Sequence, residues 1–191
     1  LNAYKYMIMK KILLTILMFN TTLFLAQTSG VGNVNFSDDA AWSTNSKPGV
    51  NDDIVIPSGS VLSIDVTASV RSIEVQSGGF LFVNNPLTIT GASSTNSTNA
   101  GDLTVGATLT FTTSNFTNTG SFTLDPGFQV VFKDSNSTIS NTGTITFNSD
   151  SDSFSSMVYT GTSYSGNTDS VKYDRYVTTA AVGWDLIGSP V

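Results

Sequence analysis

The run Asn99-Ala-Gly101-Asp-Leu103-Thr-Val105 is written again as Asn118-Thr-Gly120-Ser-Phe122-Thr-Leu124, and a third time as Asn141-Thr-Gly143-Thr-Ile145-Thr-Phe147. The copies begin 19 and 23 positions apart, the length of one coil of a solenoid rather than of one strand of a hairpin. A second phrase interleaves with the first. Gly106-Ala-Thr-Leu109-Thr-Phe111 returns 21 positions on as Gly127-Phe-Gln-Val130-Val-Phe132. Within each copy, apolar and polar residues alternate with the period of a β-strand, and Gly or Asn closes each run. Stacked in parallel, such coils place Leu103 beside Phe122 and Phe122 beside Ile145. Asn99, Asn118 and Asn141 are then expected about 5 Å apart up one corner, their amides paired, with Gly101, Gly120 and Gly143 allowing the corner to turn.

The same grammar extends towards the N-terminus. Asp52-Asp-Ile54-Val-Ile56, Val61-Leu-Ser-Ile64, Val70 to Val75, Phe80-Leu-Phe-Val83 and Leu87-Thr-Ile89 are short runs punctuated by Pro57-Ser-Gly59, Ser77-Gly-Gly79 and Asn84-Asn-Pro86. Strands of this length are unstable as isolated hairpins, whereas stacking satisfies their backbone groups and merges their apolar residues into one core. The segment from Gly91 to Ala100 carries no residue suited to a core and reads as a loop protruding from a coil. Arg71 and Glu74 read as an exposed ion pair on one strand.

Composition supports an all-β reading. Of 191 residues only 12% are charged, and Ser, Thr, Asn and Gly fill the polar positions. There is no His and no Cys, which removes imidazole and thiolate chemistry and any His/Cys metal site. Three of the eight basic residues, Lys5, Lys10 and Lys11, lie in the first dozen positions, so the rest of the chain sets five basic against 14 acidic residues. Nucleic acid and anionic headgroups are therefore not expected as partners.

Lys10-Lys11, the apolar run Ile12 to Phe19 and Leu23-Phe-Leu-Ala26 have the layout of a secretory signal peptide ending at Ala26. The run is too short, and too interrupted at Asn20, for the roughly 20 residues of a stable transmembrane span. Met7 or Met9 is the candidate start, which makes 1–6 candidate upstream read-through. Residues 27–50, with Trp42 and the turn Lys47-Pro-Gly49, read as a cap over the open end of the stack. After residue 160 the phrase is lost. Residues 161–191, with Tyr173-Asp-Arg-Tyr176 and Gly183-Trp184, read as a linker and the truncated start of a further β module.

The run Trp42, Pro48-Gly49, Asn51-Asp-Asp53-Ile-Val-Ile56-Pro, Gly59, Val61, Ile64-Asp65, Ile73-Glu-Val75 and Gly78-Gly79 resembles the opening of β-helical modules in secreted, adhesin-like and carbohydrate-associated proteins of Bacteroidetes-type bacteria. The closing Tyr173 to Val191 is similar to segments that follow such β-helices. The resemblance implies a secreted or outer-surface location, often as type IX secretion cargo, and it carries over no catalytic residue.

Candidate chemistry is sparse. Asp38-Asp39, Asp52-Asp53 and Asp150/Asp152 are the carboxylate pairs available for a metal, and two neighbouring carboxylates supply only part of a calcium shell. Asp150 and Asp152 remain the weak candidates. Glu74 is the single Glu of the coils, and the basic residues are scattered, so neither the paired carboxylates of a glycosidase nor the base of a lyase is assembled. No cofactor is implied.

These readings commit to an all-β chain whose residues 51–160 form a right-handed parallel β-helix of about five short coils. The alternative is a β-sandwich, which requires antiparallel neighbours. The expected function is a non-catalytic, secreted or surface-displayed, adhesin-like scaffold that meets glycans or a neighbouring surface. A carbohydrate-binding module is the alternative, with Trp42, Trp184, Tyr173 and Tyr176 as sugar-stacking candidates; a polysaccharide-degrading enzyme ranks third.

Overall fold

In a computed structural model, described over residues 26–29, 32–92, 94–112, 114–161, 163–166 and 170–175, short strands follow one another around a coil. Strands β1 (Ala26–Thr28) and β2 (Gly32–Asn35) open the stack. The first full coil is β3 (Asp53–Ile56), β4 (Ser60–Ile64) and β5 (Ala68–Val70). The second is β6 (Ser72–Val75), β7 (Phe80–Val83) and β8 (Leu87–Ile89). The third is β9 (Asn96–Asn99), β10 (Asp102–Val105) and β11 (Leu109–Phe111). The fourth is β12 (Asn115–Asn118), β13 (Ser121–Leu124) and β14 (Gln129–Phe132). The fifth is β15 (Thr138–Asn141), β16 (Thr144–Asn148) and β17 (Ser156–Tyr159), after which come β18 (Ser163–Gly166) and β19 (Val171–Asp174).

Equivalent strands of successive coils pair into three parallel sheets. The first is β1-β3-β6-β9-β12-β15-β18, the second β2-β4-β7-β10-β13-β16-β19 and the third β5-β8-β11-β14-β17. Leu103 is in register with Phe122, and Phe122 with Ile145. Every described strand pair is parallel, and antiparallel geometry is confined to the isolated bridges Ser29–Trp42 and Ser149–Phe154. The protein is thus an all-β parallel β-helix, with five complete coils among the described residues, and the β-sandwich alternative is excluded. The sandwich fails because each strand's lateral partner lies one coil away rather than across an adjacent turn.

Alternation puts one residue in two inside. On the second sheet Leu62, Leu81, Leu103, Phe122 and Ile145 form one buried column, and on the third Phe111 stacks on Phe132 with ring centroids 4.5 Å apart. At the N-terminal end Trp42 is 2% exposed, meets Phe36 edge-on at 5.5 Å and donates its indole N–H to the Phe36 carbonyl. The 36–37 segment is fastened to the coil below. Phe36 N–H donates to Ser63 O, and the Ser37 backbone and hydroxyl both donate to the Asp65 carboxylate.

Two local expectations change. The segment 91–100 is not all loop, because Asn96–Asn99 forms β9, in register with both β6 and β12. Backbone pairing to the coils on either side supplies what the absent apolar residues do not, and Ser97 and Asn99 are fully buried. Within the stretch expected to be a linker and the truncated start of a further β module, β18 and β19 extend the first and second sheets. Among the described residues no helix is long and apolar enough to cross a membrane.

Candidate binding face

The repeated asparagines lie inside the stack. On the first sheet the buried column that begins with Ile56 and Val75 continues as Asn99, Asn118 and Asn141, each fully buried. Asn99 Nδ2 donates to Asn118 Oδ1 at 2.8 Å, and Asn118 Nδ2 donates to Asn141 Oδ1 at 2.8 Å. Each amide also satisfies carbonyls at the corner, Asn99 that of Ser121, and Asn118 those of Gly120 and Thr144. Asn141 ends the ladder on Ser170 Oγ and Tyr164 Oη. This is a polar seam of the core in which, among the described residues, only Asn99 Oδ1 is left without a partner, and that atom is buried away from any ligand.

Gly101, Gly120 and Gly143 serve a different purpose from turning the corner. None of them has a positive φ, and a Cβ on each would overlap the carbonyl of the glycine one coil below, namely Gly79, Gly101 and Gly120 in turn. They are required by close approach between coils rather than by backbone conformation.

The other sequence candidates fall as follows. Trp42 is buried against Phe36 and leaves no face for a sugar. Tyr173 lies in the Phe147 column, ring centroids 6.3 Å apart, on the last described rung, where it is 43% exposed. Tyr176 and Trp184 lie outside the described residues. Asp150 is a turn device: its Oδ1 accepts from the Asp152 and Ser153 backbone N–H groups and from the Ser153 hydroxyl, and the Asp152 N–H leads in holding this carboxyl below its usual range. Among the described residues no three acidic side chains group as a metal shell would require.

Arg71 pairs with Asp53, not with Glu74. Its Nε and a terminal nitrogen both donate to the Asp53 carboxylate, which also accepts from the Ser72 hydroxyl at 2.6 Å, while Glu74 accepts from Gln76. The nearest lateral neighbour in this fold is one coil back, 18 residues away, and Arg71 sits in the bend between β5 and β6 rather than beside Glu74 on β6. Donation from Arg71 holds the Asp53 carboxyl below its usual range against the opposing effect of partial burial, with Ser72 and the Arg71 charge assisting. A lowered folded-state value means the pair stabilises above about pH 4 and loses that contribution as pH falls through the folded value. Asp53→Asn is expected to flatten the acid limb of stability against pH by less than about 1 kcal/mol, since the pair is partly solvated. Urea midpoints between about pH 2 and pH 6 check this.

The face that combines exposed aromatic rings with uncommitted hydroxyls is the outside of the second sheet. β7 presents Phe80 and Phe82 outwards, each 38% exposed, with Leu81 and Val83 inside. In register one coil on are Asp102 and Thr104, then Ser121 and Thr123, then Thr144 and Thr146. Among the described residues the Thr104 and Thr123 hydroxyls have no protein partner. At the corner that follows the third sheet Thr90, Thr112 and Thr160 donate to backbone carbonyls, whereas Thr88 and Thr110 on the outside of that sheet, like Thr104 and Thr123, have no protein partner among the described residues. At the edge of the face Gly106 leaves a notch. A Cβ there would lie 3.4 Å from Asp125 Oδ2 and 3.6 Å from Asn84 Oδ1. No donor reaches the Asp125 carboxylate among the described residues, and partial burial alone pushes its pKa up.

Phe80 and Phe82 were not singled out in the sequence because Phe80-Leu-Phe-Val83 is apolar throughout and conceals its own parity. The signal was the alignment with Asp102-Leu-Thr-Val105 one coil later, which puts both rings in polar columns. No family model matches the chain, and no curated protein or solved structure matches it either.

Proposed function

We propose that the chain is a non-catalytic, exported, adhesin-like scaffold. The observation that carries this reading is the unbroken parallel stack, in which two seven-stranded sheets run the length of the described chain over one continuous core. Such a rod holds surface groups at fixed spacing, which suits display and adhesion. Antibody raised against the chain should label intact producing cells, and the purified chain should release no reducing ends from a panel of polysaccharides. Steady release of reducing ends by the chain would overturn the reading. A carbohydrate-binding module is the second reading, favoured by the outward Phe80 and Phe82 rings beside unpaired hydroxyls on one sheet.

A further inference from the structure

We propose that the outer face of the second sheet binds a neutral, extended, β-linked hexose polysaccharide lying along the axis of the stack, with Phe80 and Phe82 as the stacking platform and Thr104, Thr123 and the Asn84/Asp125 notch as hydrogen-bonding groups. The proposal rests on the carbohydrate-binding reading and gives it a site and a ligand class.

Four features of the face select this ligand. First, the Phe80 and Phe82 positions are two residues apart on one strand, about 6.6 Å across the stack axis, so the pair spans the width of one sugar ring of a chain lying along that axis. Exposed aromatic rings on a flat strand surface suit the C–H face of a pyranose, which is apolar across the ring and polar at its rim. Second, the coils repeat about every 4.8 Å, close to the advance per sugar of an extended β-linked hexopyranose chain. A chain seated over Phe82 therefore meets Thr104 and then Thr123 with successive sugars, in register. Third, the groups awaiting a partner are those a polyol satisfies. The Thr104 and Thr123 hydroxyls both donate and accept, and Asn84 Oδ1 and Asp125 Oδ2 accept sugar O–H across the side-chain-free Gly106. The Asn84 amide nitrogen is already committed to Ser63 Oγ at 2.9 Å, which aims its oxygen at the notch. Fourth, charge excludes the alternative glycans. The chain carries a net charge of −6, and Asp102 in register with Phe80 and Asp125 at the notch are both acidic, so a polyuronate or sulfated chain is repelled while a neutral one is not.

The test is affinity electrophoresis of the purified chain through gels containing hydroxyethylcellulose, glucomannan or polygalacturonate, with Kd values from titration of soluble cello- and manno-oligosaccharides. The expected result is retardation by a neutral glucan or mannan and none by polygalacturonate. Phe80→Ala/Phe82→Ala should weaken binding at least about tenfold at an unchanged melting temperature. Phe80→Tyr/Phe82→Tyr, which keeps both rings, should remain within about threefold of the parent. Neutral-glycan binding that survives the alanine pair undiminished would overturn the assignment of this face and leave the carbohydrate-binding reading standing. Retardation by polygalacturonate alone would overturn the ligand class. Absence of binding to all three polymers would overturn the proposal and the carbohydrate-binding reading together.

Discussion

Gly120→Ala is expected to cost about 3–5 kcal/mol of stability, among the largest single-site effects in the chain. The added Cβ would overlap the Gly101 carbonyl and meet the Ala100 backbone, and neither is the end of a flexible side chain that could swing aside. Relief requires the fourth coil to lift from the third, and lifting also lengthens the hydrogen bonds from Thr119 and Gly120 N–H to Asn99 O and from Ser121 N–H to Gly101 O. Gly106→Ala provides the contrast. Its Cβ would approach only Asp125 Oδ2, Asn84 Oδ1 and the Val83 carbonyl, all at 3.4 Å or beyond, so the expected change is below about 1 kcal/mol. Urea unfolding of the two variants separates the close-approach account from a general intolerance of alanine at loop glycines.

Asn118→Asp should be comparably severe at neutral pH, about 3–5 kcal/mol, because it buries an unpaired charge. The carboxylate would receive one hydrogen bond, from Asn99, and would face Asn141 Oδ1 and the Gly120 and Thr144 carbonyls, which are all acceptors. Burial among acceptors raises the folded-state pKa of the new carboxyl above its unfolded value near 4. The penalty is therefore present above the raised value and shrinks as pH falls, when the protonated acid donates to one of the acceptors. Asn118→Ala also breaks the ladder, at about 2–3 kcal/mol, but shows no such pH dependence. Stability measured against pH for the two variants distinguishes a buried amide seam from an exposed turn ladder, in which both substitutions would be nearly silent.

The coil architecture was legible because the sequence repeats at coil length and alternates with period two inside each repeat. Leu103, Phe122 and Ile145 announce their own column. The repeated Asn-x-Gly phrase was legible as a stack of paired amides, but it did not reveal that the asparagines lie inside the core or that the glycines are required by contact between coils rather than by the turn. Arg71 shows the limit of local reading most directly. Glu74 is its neighbour along the chain, and Asp53 is its neighbour in space.

What this sequence determined by itself is the period, the short strands and the parallel stacking of equivalent positions. These depend on local alternation and on repeat length, both of which are written in the chain. Only the tertiary structure decided which side of an unbroken apolar run faces out, and so placed Phe80 and Phe82 on the surface. It also decided that buried Ser97 and Asn99 complete a strand with no apolar residue. In a parallel stack the groups that settle such questions lie about one coil away on the strands above and below. Their identity therefore follows from inter-coil register and loop length rather than from the residues alongside.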